Sequence, residues 1–331
     1  MAQTRLRPTF AELPLNPDDP PYSARGLWGV DDEVGTLNLL DEDSVTLAAR
    51  DIRLGHRFSL DWSLSSPHTP QFGRHAREFS HTVYRDTEDL LIMEDELHFN
   101  TQKSSQIDGL RHFAYQQAGL FYNGKSKEDI MAPGSLTLGI HKLHDHGVIA
   151  GRGILIDYWA YAERHGNAYD ASEAVAITSD ELMACLAEQS RMSNQPSEVR
   201  KGDILLIRSG FTRRYLELSD DQGQERGHRM PPKTCGVAQD ERMLQFLWEK
   251  QVAVVGGDAP AWECLPPVPS SGFLYHEVLL AGWGCPIGEL FWLEDLARAC
   301  DEHKKWSFFV TSAPINVPGG VASPANMVAI L

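Results

Sequence analysis

Gly202-Asp-Ile-Leu-Leu-Ile-Arg-Ser-Gly210 is an apolar run closed at both ends by glycine. A strand with one wet face alternates apolar and polar residues, so a run without alternation reads as a strand covered on both faces. Gly153-Ile-Leu-Ile-Asp-Tyr158 and Val252-Ala-Val-Val-Gly-Gly-Asp258 have the same character. Helical patterns separate these runs. Thr178-Ser-Asp-Glu181 has the spacing of a capping box and opens a helix through Leu182, Cys185 and Leu186. Asp240 to Lys250 sets Met243, Leu244, Leu247 and Trp248 on one helical stripe. Strands alternating with helices predict an α/β domain with a largely buried sheet.

Outward from this centre the signals weaken. Residues 1–24 hold Pro8, Pro14, Pro17, Pro20 and Pro21, which block helix and predict an extended arm laid over the body or over another subunit. Residues 25–331 show no linker and read as one domain. Trp28, Leu37, Leu39 and Leu40 form its first core anchor, with Asp41 or Asp43 capping a helix to Ala49. Phe58 to Leu64 alternates as a half-buried strand. Residues 65–90 and 217–234 lack periodicity and predict long irregular excursions. In the first, Phe72, His75 and His81 either line a site or decorate a surface, and the second is either a flap or ordinary surface. Phe121 to Gly124 is a turn signal, and Leu138 to Gly147 predicts a short helix stopped by Gly147. His144 and His146, two apart, fall on different sides of that helix, which favours a solvated face over a metal site.

Composition narrows the functional classes. With 30 basic and 46 acidic residues the formal charge is -16, so the surface repels nucleic acid and anionic membrane faces. The N-terminal residues do not form a signal peptide, and no apolar run reaches the roughly 20 residues of a membrane span, which points to the cytosol. Five cysteines, without a C-x-x-C pair, predict buried free thiols rather than a disulfide framework or zinc ribbon. Nucleophile-elbow, phosphate-loop and dinucleotide fingerprints are missing, Ser209-Gly210 being the nearest false match.

The densest chemistry lies in Phe99-Asn-Thr-Gln-Lys-Ser-Ser-Gln-Ile-Asp-Gly-Leu-Arg-His-Phe113. Gln102, Gln106, Asp108 and His112 are even numbers of residues apart and would share one face of an extended backbone. Strand residues four apart lie roughly 13 Å from each other, too far for one ion. Either the segment curls after Thr101 around Ser104-Ser105, or only Asp108 and a neighbour touch a common ligand. Elsewhere, Asp258 follows a buried strand at the end where α/β sheets collect ligands, though an Asx turn before Pro260 explains it as well.

Gln102-Lys-Ser-Ser-Gln106-Ile-Asp108-Gly-Leu-Arg-His112 resembles the His-x-Gly-Thr-His-x-Asp-x-Pro-x-His signature of the metal-dependent cyclase/hydrolase family, with Gln at two histidine positions. The stretch Arg25 to Leu40 resembles the N-terminal part of that family. His276 and Glu289, within Phe273 to Glu289, match its C-terminal site segment. The resemblance implies a cyclase-family (swivelling β/β/α-like) fold with a mixed sheet flanked by helices. It implies a hydrolase opening a cyclic amide, lactone or formamide-like bond. Asp108 would be the anionic ligand of a divalent metal, with Gln102, Gln106, His276 or Glu289 completing the shell, and His112 would transfer protons. Gln102, Gln106, Asp258 and Tyr275 are the substrate-contact candidates. An oxygen-rich shell ranks Mn first and Zn second. Two rivals stand beside this reading: a metal-free lyase or cyclase in which His112 moves protons, and a non-enzymatic small-molecule binder.

The arm, the sheet edges and the family resemblance predict a homo-oligomer, most simply a two-fold dimer. Light scattering should return at least twice the chain mass, and a value near 37.0 kDa would contradict the expectation.

Overall fold

The computed structural model describes residues 7–74, 79–85, 87, 90–194, 198–269 and 271–331. His75 and the first six residues lie outside them. The strands are β1 (Arg57–Ser59), β2 (Ser80–Arg85), β3 (Met93–His98), β4 (Gln106–Asp108), β5 (Ile149–Ile156), β6 (Ala176–Ile177), β7 (Ile204–Ile207), β8 (Gly236–Val237), β9 (Val254–Gly257), β10 (Ile287–Glu289), β11 (Ser307–Ser312), β12 (Ala322–Pro324) and β13 (Met327–Ile330).

The main sheet runs β1-β13-β11-β5-β7-β9-β10-β4-β12. Its middle, β5-β7-β9-β10, is parallel, and antiparallel strands extend it on both sides. The apolar run that predicted the fold is β7. Its side chains alternate between two cores: Leu205 and Ile207 pack with Met243, Leu247 and Trp248, whereas Ile204 and Leu206 pack with Leu296, Cys300 and Phe308. Helices Ser179–Met192 and Glu241–Glu249 cover the first face, and Glu294–His303 covers the second. The result is an α/β fold in one domain with a large mixed sheet between helices.

The sheet is strongly curled. Strands β12 and β13 are separated only by Ala325 and Asn326, yet seven strand spacings divide them in the order, about 34 Å if the sheet were flat. Three Cα steps span no more than about 11 Å. The two edges therefore approach each other, and the seam is hydrogen-bonded: Ala325 N donates to Ser105 O (3.3 Å), and the Asp61 carboxylate accepts from Asn326 N (2.8 Å) and Met327 N (2.9 Å). This closure sets the motif strand β4 against the C-terminal segment.

Several expectations need correction. The Phe58–Leu64 strand is only Arg57–Ser59. Within the stretch expected to be irregular, Ser80–Arg85 pairs with Met93–His98 as a fully exposed hairpin. Asp220–His228 is a helix, opened by a Ser219/Gln222 capping box. Its buried positions are Gly223 and Gly227, so close packing leaves no apolar stripe to read: a Cβ on Gly227 would stand 2.5 Å from Thr69. The arm lies on its own body, where Pro8 O accepts from Trp248 Nε1 and Tyr22 O from Trp283 Nε1. All five cysteines are buried and free. Among the described residues no helix is long and apolar enough to cross a membrane.

Arg208, just after β7, bonds Asp157 through Nη1 (2.8 Å) and Glu294 through Nε and Nη2 (2.8 and 2.7 Å), and only 5% of it is exposed. Removing one partner of such a group strands buried charge. Arg208→Met should lower unfolding free energy by about 3–5 kcal/mol in denaturant titrations.

Candidate active site

Strands β4 and β10 pair so that Gln106 stands opposite Glu289, which puts their side chains on one face of the sheet. Gln106 Nε2 donates to Glu289 Oε2 (2.5 Å) and to Gln102 Oε1 (2.9 Å). Residues 101–105 curl back, and Gln102 Nε2 donates to Asp108 Oδ1. Of the two geometries the sequence left open, the chain adopts the curl. Ser105 anchors it, donating to Leu290 O (2.5 Å) and accepting from Trp62 N (2.7 Å). Gly109 is dictated by close approach, since a Cβ there would stand 2.7 Å from Val321 O.

Beyond Gly109 a tight turn, His112 N to Gly109 O (2.9 Å), brings His112 Nε2 to 3.6 Å from Asp108 Oδ2. His276 enters from the other side, at the start of the π-helical turn Glu277–Trp283. Its Nε2 lies 3.1 Å from Glu289 Oε1 and 3.9 Å from Asp108 Oδ2. One ligand atom each from Asp108, His112 and His276 can be chosen so that all lie within 4.8 Å of one another.

Glu263 holds His276 in place. Its Oε1 accepts from His276 Nδ1 (2.7 Å) and His276 N (3.0 Å), and its Oε2 accepts from Gln239 Nε2 (2.6 Å) and Tyr275 N (2.9 Å). A carboxylate on Nδ1 fixes the ring and turns Nε2 toward the cluster. Arg74 approaches from the opposite side, donating to Gln102 Oε1 (2.9 Å) with Nη1 4.0 Å from Glu289 Oε2.

Asp108, Glu263 and Glu289 are each 0–1% exposed. Burial, then the Asp108 carboxylate, pushes Glu289 above the usual carboxylate range, against the pull of His276 and Arg74. Burial would hold His276 down, but its hydrogen bonds to Glu263 and Glu289 and their charges outweigh it and push it up. His112 moves the other way, lowered chiefly by burial, which leaves it a neutral imidazole near neutral pH. Two buried acceptors in the cluster, Asp108 Oδ2 and Gln106 Oε1, have no hydrogen-bond partner. An orphaned carboxylate oxygen beside an oriented imidazole, among further buried carboxylates, is a donor set that fits a divalent cation.

Among the residues singled out in the sequence, Gln102, Gln106, Asp108, His112, His276 and Glu289 meet in one cluster. The side chains of Tyr275 and Asp258 are not bonded to it. The Tyr275 hydroxyl sits among Ala238 O, Asp240 O and Asp240 N, each at 3.0 Å. Asp258 accepts from Ser209 N, Ser209 Oγ and Gly210 N at 2.6–2.8 Å, closing the turn before helix Phe211–Leu216. His81 pairs with Asp95 across the exposed hairpin. His144 and His146 reach Pro314 O and Leu37 O. Sequence reasoning missed Glu263 and Arg74. Glu263 sits in Ala261-Trp-Glu-Cys264, where a carboxylate between apolar residues is costly unless paired, and that was its one signal.

The family model described as "Putative cyclase" matches residues 47–264, and the chain belongs to this family. A solved structure of a novel cyclase is 28% identical, covers 93% of this chain and 99% of its own, and superposes with a TM-score of 0.79. Isatin hydrolase A from Ralstonia solanacearum shares the fold at 18% identity, over 88% of this chain and 96% of its own, TM-score 0.54. Isatin hydrolase A from Labrenzia aggregata, bound to benzyl benzoate, does so at 14% identity, over 88% and 98%, TM-score 0.53. No curated protein matches the chain.

Glu263→Gln keeps the shape but removes the charge on His276 Nδ1. The His276 pKa, followed by NMR titration of the metal-free protein, should fall, and an unchanged value would refute the orienting role.

Proposed function

We propose that the chain is a metal-dependent hydrolase that opens a cyclic amide, lactone or formamide-like bond. The observation that carries this reading is the unpartnered Asp108 Oδ2, buried beside His276 Nε2 and within reach of His112. Asp108, His276 and Glu289 would hold the ion. Gln106 Oε1 is free to join them, whereas Gln102 already spends both ends of its amide on Asp108, Gln106 and Arg74. When bound, a divalent ion polarises a carbonyl and makes water acidic enough to attack near neutral pH. Two carboxylates and an imidazole form a hard, oxygen-rich set that suits Mn before Zn.

His112 is the proton carrier in this reading. It is more exposed than Asp108 or His276, its low pKa leaves Nε2 able to accept, and Asp108 stabilises the imidazolium that results. The proton taken from water at Nε2 would then be returned to the leaving nitrogen or oxygen. Glu263 keeps the His276 ring fixed, and Phe113, 5.2 Å from that ring, packs along the same edge. His112→Ala should retain bound metal while slowing turnover of an amide and lactone panel by roughly 10²- to 10⁴-fold. Full activity in that variant would move proton transfer elsewhere. Metal-free protein that turns over the panel at the same rate would favour the lyase or cyclase alternative.

A further inference from the structure

The ribbon formed by β2 and β3 has all twelve of its strand residues exposed. A two-stranded ribbon is marginal in water without something packed on it. This one is nevertheless rich in apolar side chains: Val83, Leu90, Leu91, Ile92, Met93 and Leu97 are 41–86% exposed. Cross-strand partners and alternate residues of a ribbon point the same way, so Val83, Met93 and Leu97 share one face. Apolar surface gathered this densely, when exposed, marks a contact surface. The ribbon is also acidic, since β3 carries Glu94, Asp95 and Glu96 in succession. The opposite sign lies on residues 47–57. Arg50, Arg53 and Arg57 are exposed there beside exposed Leu47, Ile52 and Leu54. The one acid of that stretch, Asp51, is turned to Arg152 (3.8 Å) and Arg200 (3.9 Å). The stretch runs into β1, the end strand of the main sheet, whose outer edge is open to an incoming strand.

We propose that the β2–β3 ribbon of one chain docks on residues 47–57 of a second copy, while the second copy's ribbon docks on the first chain, as a two-fold dimer. A chain of net charge -16 repels its own copy over most of its surface, so association is favoured where the sign reverses locally. An acidic, apolar ribbon and an arginine-rich, apolar stretch complement each other in both respects. The two surfaces also start close together on one chain. Beyond β3 the curl rests on the segment after β1, where Ser104 Oγ donates to Ser63 O (2.8 Å) and Ser105 Oγ accepts from Trp62 N (2.7 Å). An axis passing between the two surfaces therefore satisfies both contacts at once. Two-fold closure uses both ribbons and both arginine stretches, which leaves no unmatched end to propagate a fibre. The interface does not depend on the hydrolase reading.

The test reverses charge on one surface at a time in the full chain and follows assembly by sedimentation equilibrium. One variant is Arg50→Glu/Arg53→Glu/Arg57→Glu, the other Glu94→Lys/Asp95→Lys/Glu96→Lys, each checked for its fold by circular dichroism. The wild type should be a dimer, and each variant alone should raise the dimer dissociation constant roughly 10-fold or more. An equimolar mixture of the two should return to dimer, because every ribbon then meets a stretch of opposite sign. Val83→Ser, which changes no charge, should weaken the wild-type dimer as well and covers the case of a reversed variant that fails to fold. A monomeric wild type, a reversed variant that dimerises like wild type, a mixture that stays monomeric, or an unchanged dissociation constant in Val83→Ser would overturn the interface.

Discussion

Asp108, Glu263 and Glu289 are buried carboxylates gathered around His276, and charges this close cannot share a dry site without positive groups between them. In the absence of an ion the chain supplies two: His276, clamped between Glu263 and Glu289, and Arg74, held at 4.0 Å from Glu289; His276 gives up its Nε2 proton if it is to ligate an ion in turn. Neither bonds Asp108 Oδ2, the oxygen left without a partner. The arrangement is costly as it stands and becomes favourable with a cation on that oxygen, which is why the cluster reads as a binding site rather than as a structural ion pair. Arg208, paired on both sides by Asp157 and Glu294, shows what a satisfied buried charge looks like in the same molecule.

The curl of the sheet makes this crowding possible. The cluster draws on residues from 74 to 289, and β4 reaches β10 because the last two strands tie opposite edges together across Ala325 and Asn326. Short antiparallel strands then fix register residue by residue. Gln106 faces Glu289 in the ladder, and a slip of one position would turn one of them to the opposite face. The side-chain amides of Gln102 and Gln106 link Asp108 to Glu289, so the two carboxylates are spaced by hydrogen bonds instead of by the backbone alone.

Much of the fold was legible because it rests on local rules. The three apolar runs became β5, β7 and β9, and the Thr178 capping box and the Met243-to-Trp248 stripe became helices. The helix at Asp220–His228 was illegible since its buried face is glycine, which carries no hydrophobic period. The hairpin at 80–98 was illegible because both strands are exposed throughout, without the one-sided burial that makes alternation visible. At the site, the motif spacing led to Asp108 and His112, and the family resemblance to His276 and Glu289. Glu263 and Arg74 act through tertiary contacts that no spacing encodes. Tyr275 lies beside His276 in sequence, yet its phenol turns to the backbone at 238 and 240, as adjacent positions entering a helix diverge.

The central claim is that Asp108 anchors a divalent ion, and equilibrium Mn binding measured on wild type and Asp108→Ala tests it most directly. About one ion per chain should bind in the wild type, and the variant should lose that binding with the fold intact by circular dichroism. Mn bound by Asp108→Ala at wild-type stoichiometry and affinity would contradict it.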